Sequence, residues 1–241
     1  MSETSLGQTL MSLWLKYEYQ FYLARKKASA TRVHRLRVHR LRVAVRRTEA
    51  ALVVINTLIA DEGVGHLLRE LKKTRRVLGP LRNAQVKKRI LTKKDSADAN
   101  RRRSKHLVHY LSSQITQAKK KSRRFLRKTS FLKQQRLFNR IERKLLKLEG
   151  TKRSSEIQNS LSRTLKKGRA ALEASAKKIT PEDITSIHRC RILTKRFRYQ
   201  KEYVNLVRNR SDDDLAVLKT LQERERHTAM RLLPTLWRAW A

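Results

Sequence analysis

Histidine and arginine recur at the same spacing in two short segments of this sequence. The first segment begins at His39 and the second at His188, and each has an arginine three residues after the histidine. Basic pairs follow seven and eight residues after each histidine, Arg46-Arg47 and Lys195-Arg196. The planar guanidinium group makes two charge-assisted hydrogen bonds to a phosphate, and a histidine can donate another. The repeated pattern therefore predicts binding of phosphate groups.

Helical geometry places some of the basic residues in and around each segment on one side of a helix. At about 100° per residue, four residues of the helix that contains the first segment fall within an arc of about 60°, and we call them the first ridge: Arg35, His39, Arg42 and Arg46. Four residues of the second segment fall within about 80°, and we call them the second ridge: His188, Arg191, Lys195 and Arg198.

Each ridge is accompanied by an apolar arc of about 60° on the same helix. In the first segment it contains Val38, Leu41, Val45 and Leu52. In the second it contains Cys190, Leu193, Phe197 and Val204. We expect these arcs to anchor each helix in a core and to leave its ridge accessible. Like charges stacked along a helix repel by a few tenths of a kcal/mol per pair, so a line of negative charge would relieve the ridge. The alternative is that both ridges are solvated faces of a basic protein.

The composition points to an anionic partner. Lys and Arg number 60 and Asp and Glu 20 among 241 residues, giving a formal charge of +40. Nucleic acid, anionic lipid and polyphosphate are the partners that such a charge suggests. No stretch approaches the length of a membrane span and the N-terminus does not resemble a signal peptide. With a single cysteine, Cys190, these features predict a cytoplasmic protein without an internal disulfide.

Scarce glycine and proline (6 and 3 residues) favour long helices, and the predicted fold class is all-α. An aromatic stripe including Trp14 and Phe21 predicts a first helix packed in the core. The following helices are predicted at 31–59, 66–78, 81–91, 101–148 (one or two helices), 154–178 and 180–207, with a last one opening at 211 and ending before Pro234. The predicted interruptions are 61–65, Gly79-Pro80 and a polar hinge at 92–100. Thr180 and Pro181 resemble a helix N-terminus, with a capping hydroxyl and a proline in the first position.

The motif pair resembles the CHAD family, the conserved histidine α-helical domains. The second segment matches that pattern through Arg198 and Tyr199, whereas the first departs at Glu49 and carries a five-residue duplication before His39. The family's LG-x-x-RD-x-D-V element resembles residues 78–86, with Asn83 and Gln85 in place of its acids. The resemblance covers nearly the whole chain, 1–241, as one domain with an N-terminal half at 1–95 and a C-terminal half at 100–241.

The resemblance implies two helical bundles related by pseudo-twofold symmetry, with a basic groove between them that binds inorganic polyphosphate. It also implies association with polyphosphate or storage granules. The predicted site combines both ridges with Arg47, Arg82 and Arg196, and the predicted protein is not an enzyme.

Other partners and chemistries remain as alternatives. The main one is an RNA- or DNA-binding protein, and two others are a granule-coating structural protein and an enzyme acting on phosphate substrates. We expect no cofactor and no metal, since His106 and His109 lack a third ligand. The basic stretch 118–128 is either an extra docking patch or a solvated helix face.

Overall fold

The computed structural model describes residues 5–30, 35–94, 101–128, 131–151, 154–180, 183–210 and 215–221. Within these ranges the chain contains helices and no strand, which confirms the predicted all-α class. The helices are α1 (Leu6–Ser29), α2 (Arg35–Ile59), α3 (Glu62–Lys94), α4 (Arg101–Lys128), α5 (Phe131–Thr151), α6 (Ser154–Ala176) and α7 (Ile184–Val207). Residues 215–221 are also helical, and the predicted end of the last helix lies outside the described residues.

The helices form two compact units. The first unit contains Met1–Trp14, Glu49–Asp61 and Glu142–Ala241. The second contains Leu15–Thr48 and Glu62–Ile141. The predicted division into halves at 1–95 and 100–241 cuts the chain differently and stays a prediction, as does the pseudo-twofold symmetry. Residues 92–94 of the predicted hinge belong to α3, and the rest of that hinge lies outside the described residues.

The aromatic stripe of α1 lies in the core, as its spacing predicts. Trp14 and Phe21 are fully buried. In the second unit, the Phe21 ring stacks on Phe138 of α5 with a centroid distance of 5.6 Å and an interplanar angle of 27°. Such offset ring pairs add stabilisation beyond the area they bury. The stripe is therefore a packing feature.

The predicted helix stop at Gly79-Pro80 is wrong, because α3 continues through Pro80 without a break. An interior proline leaves the carbonyl four residues earlier without its intrahelical donor and disturbs the neighbouring turn. Here, the carbonyls on either side of that position receive side-chain donors from other helices. Arg42 Nη1 of α2 donates to the Arg75 carbonyl at 2.9 Å, and Ser122 Oγ of α4 donates to the Val77 carbonyl at 3.4 Å. Tertiary contacts thus support a helix that local sequence rules would end.

Two other predicted boundaries differ from the structure. The break between α2 and α3 falls at Ala60, which adopts a φ of 44°, and the residues Gly63 and Gly65 lie inside α3. The cap of α7 is Asp183 rather than Thr180. Its two carboxylate oxygens accept from the backbone N–H groups of Thr185 at 2.8 Å and of Ser186 at 3.1 Å. A carboxylate also interacts well with the positive end of a helix dipole, which favours it as the cap.

In the first unit, α6 and α7 approach closely at Gly168. A Cβ atom added to Gly168 would lie 2.9 Å from Phe197 Cδ2 and 3.0 Å from Gln200 Oε1. Both of those side chains are buried, so neither can move aside freely. The absence of a side chain at Gly168 sets the separation of the helix that carries the second ridge.

Replacing Gly168 with alanine is expected to destabilise the protein. Overpacking of this kind costs about 1–3 kcal/mol in the free energy of unfolding. Chemical denaturation followed by circular dichroism measures the change. Gly65→Ala is the matched control, because its Cβ would meet only the end of Arg69 at 3.7 Å, and relief of helical glycine is worth up to about 1 kcal/mol. Equal stabilisation by both substitutions would contradict the close contact at Gly168.

Candidate anion-binding site

The first ridge lies on α2, and its helix is anchored as the wheel predicts. All four residues of the predicted apolar arc are fully buried: Val38, Leu41, Val45 and Leu52. On the ridge itself, His39 is exposed, and the three arginines are half-buried: Arg35, Arg42 and Arg46. The long stems of half-buried arginines pack on the protein while their charged ends reach water. The buried apolar arc therefore holds the helix in the core, and the ridge residues keep part of their surface exposed to solvent.

A backbone contact fixes the centre of the first ridge. Arg42 Nη1 donates to the Arg75 carbonyl of α3, and the same nitrogen lies 4.0 Å from the Cβ position of Gly79. The contact orients the guanidinium group without removing its charge, because a carbonyl is a dipole and not an anion. A side chain that is already held in position loses less conformational entropy when a ligand binds to it.

The first ridge also gathers a predicted residue from another helix, Arg82 of α3. Partial burial by the surrounding side chains lowers the pKa of His39 below its usual value, and four arginines lower it further: Arg82, Arg46, Arg42 and Arg35, in decreasing order. All five residues lie in the second unit. His39 thus stands in a strongly positive field, which favours its neutral form.

Amides stand where the family element has acids, in the part of α3 that follows Arg82. Asn83 and Gln85, which replace the acids, follow Arg82 on α3. Asn83 is exposed and Gln85 is half-buried. Neither amide carries a negative charge, so this part of α3 is more cationic than it would be with the acids.

Arg47, another predicted site residue, lies apart from the ridge and lines a cleft between α1 and α2. The cleft measures about 420 Å³, and His39 of the first ridge is also among its lining residues. Three of its basic residues were not predicted: Lys27, Arg37 and Arg40. Arg37 and Arg40 lie inside the motif region but off the ridge, and Lys27 belongs to no motif. Only the packing of α1 against α2 reveals that they share a cleft.

The second ridge lies on α7 in the first unit. Cys190, Phe197 and Val204 of its apolar arc are buried, and Leu193 is half-buried, which confirms that Cys190 is a core residue. The ridge is graded in exposure. His188 is exposed, whereas three other members are half-buried: Arg191, Lys195 and Arg198. The predicted residue Arg196 is exposed and lies outside the arc of the ridge.

Arg198 has an aromatic ring and an acid as neighbours. Its guanidinium carbon lies 4.4 Å from the centroid of the Tyr199 ring, within the range of a cation–π contact. Its Nη1 atom lies 3.9 Å from Glu202 Oε2, one turn later. An acid therefore offsets part of the charge at this end of the second ridge.

Across the residues that the structure describes, no group of three or more His, Cys, Asp or Glu side chains is arranged to hold a metal ion. His106 and His109 are both exposed on α4. In the same part of the chain, none of the helices is long and apolar enough to cross a bilayer.

Comparisons with known proteins support the motif assignment. A family model for the CHAD domain matches residues 22–226. The structure is similar to the crystal structure of the CHAD domain from the plant Ricinus communis, with a TM-score of 0.71 over 99% of this chain and 80% of that one. The sequences are 19% identical, so this likeness is one of fold. No curated protein matches the chain.

The positive field predicts the titration of His39. We expect its pKa to lie below the usual histidine value of about 6.5, and we expect Arg82→Gln to raise it in part, since burial remains the larger cause. NMR of the imidazole resonances measures both values, with Arg124→Gln on α4 as the control. Because the folded chain holds this proton less tightly than the unfolded chain, this residue lowers the free energy of unfolding as the pH falls below about 6.5. A pKa unaffected by Arg82→Gln would contradict the proximity of the two groups.

Proposed function

This chain belongs to the CHAD domain family, and we propose on that basis that it is a non-catalytic protein that binds inorganic polyphosphate through its two ridges. The proposed contacts on α2 and α3 are Arg35, His39, Arg42, Arg46, Arg47 and Arg82. The proposed contacts on α7 are His188, Arg191, Lys195, Arg196 and Arg198. Polyphosphate is the ligand that the family resemblance implies. Targeting to polyphosphate or storage granules would follow from such binding.

The cluster around His39 is the observation that carries the proposal. Four guanidinium groups from α2 and α3 act on one imidazole, and within the described part of the chain the charges that shift its pKa are positive. Such an arrangement costs electrostatic free energy in the free protein, because the charges repel one another. A polyanion that binds there removes the repulsion and gains charge-assisted hydrogen bonds. Binding would also raise the pKa of His39 and favour uptake of a proton.

Burial of aromatic side chains favours polyphosphate over single-stranded nucleic acid. Proteins that bind single strands stack bases on accessible aromatic rings. Phe197 and Tyr199 are the aromatic residues next to the second ridge, and each is only 8% exposed. Their rings therefore offer little face to a base. A polyphosphate chain needs no such face, since it consists of phosphate groups alone.

Substitutions on the ridges are expected to weaken polyphosphate binding selectively. Arg46→Gln and Lys195→Gln remove one phosphate contact each and should each lower the affinity about ten- to a hundredfold, since a hydrogen bond to a charged group is worth about 1.5–3 kcal/mol. Fluorescence anisotropy at several salt concentrations also gives the slope of log affinity against log salt concentration. This slope is negative, and its magnitude should decrease by about 0.7–0.9 for each phosphate contact that is lost.

Lys120→Gln and Arg124→Gln are the matched controls for these variants. Both residues are exposed on α4, and each substitution removes the same unit of net charge as the ridge variants. Equal losses from ridge and control variants would mean that binding depends on total charge and that the ridges are not the site.

Competition distinguishes polyphosphate from the nucleic-acid alternative. At fixed salt and matched phosphate concentration, polyphosphate of about a hundred units should displace labelled duplex RNA, because a site built from ridges selects charge density over helical shape. The measurement is the anisotropy of the labelled RNA. Failure of polyphosphate to displace the duplex would favour the nucleic-acid function.

A further inference from the structure

The cleft between α1 and α2 has two walls that share a residue spacing. The α1 wall contains Gln20, Leu23, Ala24 and Lys27, and the α2 wall contains Arg40, Val43, Ala44 and Arg47 together with Arg37 and His39. The four residues of the α1 wall and the first four named on α2 occur at i, i+3, i+4 and i+7, which places each set on one side of its helix. In each set the two apolar residues lie between polar ones, Gln20 and Lys27 on α1 and Arg40 and Arg47 on α2. The cleft therefore has an apolar centre and a mainly cationic margin.

An exposed apolar row extends the α1 wall beyond the cleft. Leu15, Tyr19 and Leu23 occur four residues apart and are 42%, 66% and 36% exposed. The row covers about 12 Å of helix at 1.5 Å per residue. Polyphosphate has no apolar surface, so it would leave both the row and the centre of the cleft in water. A small ligand confined to the cleft would leave Leu15 and Tyr19 uncovered.

We propose that the α1–α2 cleft and its adjoining row bind an acidic amphipathic helix of a partner protein. Such a helix would place apolar side chains at i, i+3, i+4 and i+7 over Leu23 and Val43, in the way helices dock in apolar grooves. Acidic residues on its flanks would meet Lys27, Arg40 and Arg47. A flat lipid surface fits less well, because Ala44 at the centre of the cleft is only 8% exposed. The inference rests on the apolar residues of the cleft and of the adjoining row, although Arg47 is also among the proposed polyphosphate contacts.

A synthetic peptide tests the inference. The probe is a fluorescein-labelled 18-residue helix with leucines at i, i+3, i+4 and i+7 and glutamates beside them. The reference peptide has the same composition, with the leucines spread around the helix so that no apolar face forms. We expect the amphipathic peptide to bind at least tenfold more tightly in fluorescence anisotropy. Equal affinities would overturn the proposal, since the charge of the protein alone would then account for binding.

Matched serine substitutions locate the binding surface. Tyr19→Ser and Leu23→Ser should each weaken the amphipathic peptide at least fivefold and leave the reference peptide unchanged. Tyr110→Ser and Leu107→Ser on α4 are the controls, since those residues are 59% and 39% exposed. If Leu23→Ser weakened peptide binding and Tyr19→Ser did not, the cleft would be a small-ligand site, and the proposed docking of a helix would be overturned. Equal loss from the α4 controls would overturn the location.

Two further measurements separate this proposal from its neighbours. Polyphosphate affinity of Tyr19→Ser and Leu23→Ser should match that of the unsubstituted protein, and circular dichroism should show the same helix content in both variants. Vesicles of phosphatidylglycerol should bind the four serine variants equally. A loss of vesicle binding in the α1 variants without a loss of peptide binding would assign the surface to lipid and overturn the proposal.

Discussion

Repulsion among cationic side chains is the constraint on which the rest of this structure depends. Sixty lysines and arginines face only twenty acids, so most positive charges have no carboxylate available to them. Among the residues that the structure describes, most buried side chains are apolar, and buried aliphatic and aromatic residues hold the helices that carry the ridges. Burial of apolar surface is insensitive to the sign of nearby charges, which makes it the interaction best suited to hold such a chain together.

Several arginines donate hydrogen bonds to neutral backbone and side-chain oxygens. Arg25 donates to the Leu126 carbonyl and to the Gln134 side chain in the second unit, and Arg42 donates to the Arg75 carbonyl. In the first unit, Arg208 donates to the carbonyl and the side chain of Gln158. Hydrogen bonds to neutral oxygens orient the guanidinium groups and satisfy their donors without cancelling their charge. The fold thus fixes arginines in place and keeps the positive potential that an anionic ligand needs.

Local patterns were sufficient to predict the helices and their buried faces. The residues Val38, Leu41, Val45 and Leu52 are buried because helical periodicity and the hydrophobic effect act on each helix independently of its neighbours. The continuation of α3 through Pro80 could not be predicted, because it involves donors from α2 and α4 that are distant in sequence. The sequence likewise does not predict that Lys27 shares a cleft with Arg40 and Arg47, because these residues lie on different helices. Periodicity describes one helix, whereas a cleft requires the packing of two.

The motif repeat concealed a difference between its copies that only the surroundings reveal. The spacing of histidine and basic residues is the same in both, yet the field at His39 depends on Arg82 of another helix, and Arg198 lies beside the acid Glu202 of its own helix. Coulomb interactions strengthen as the separation of two charges shortens, so one nearby charge outweighs the distant net charge. The same spacing of histidine and basic residues occurs on α2 and on α7, and the side chains around each copy determine how strongly it attracts phosphate.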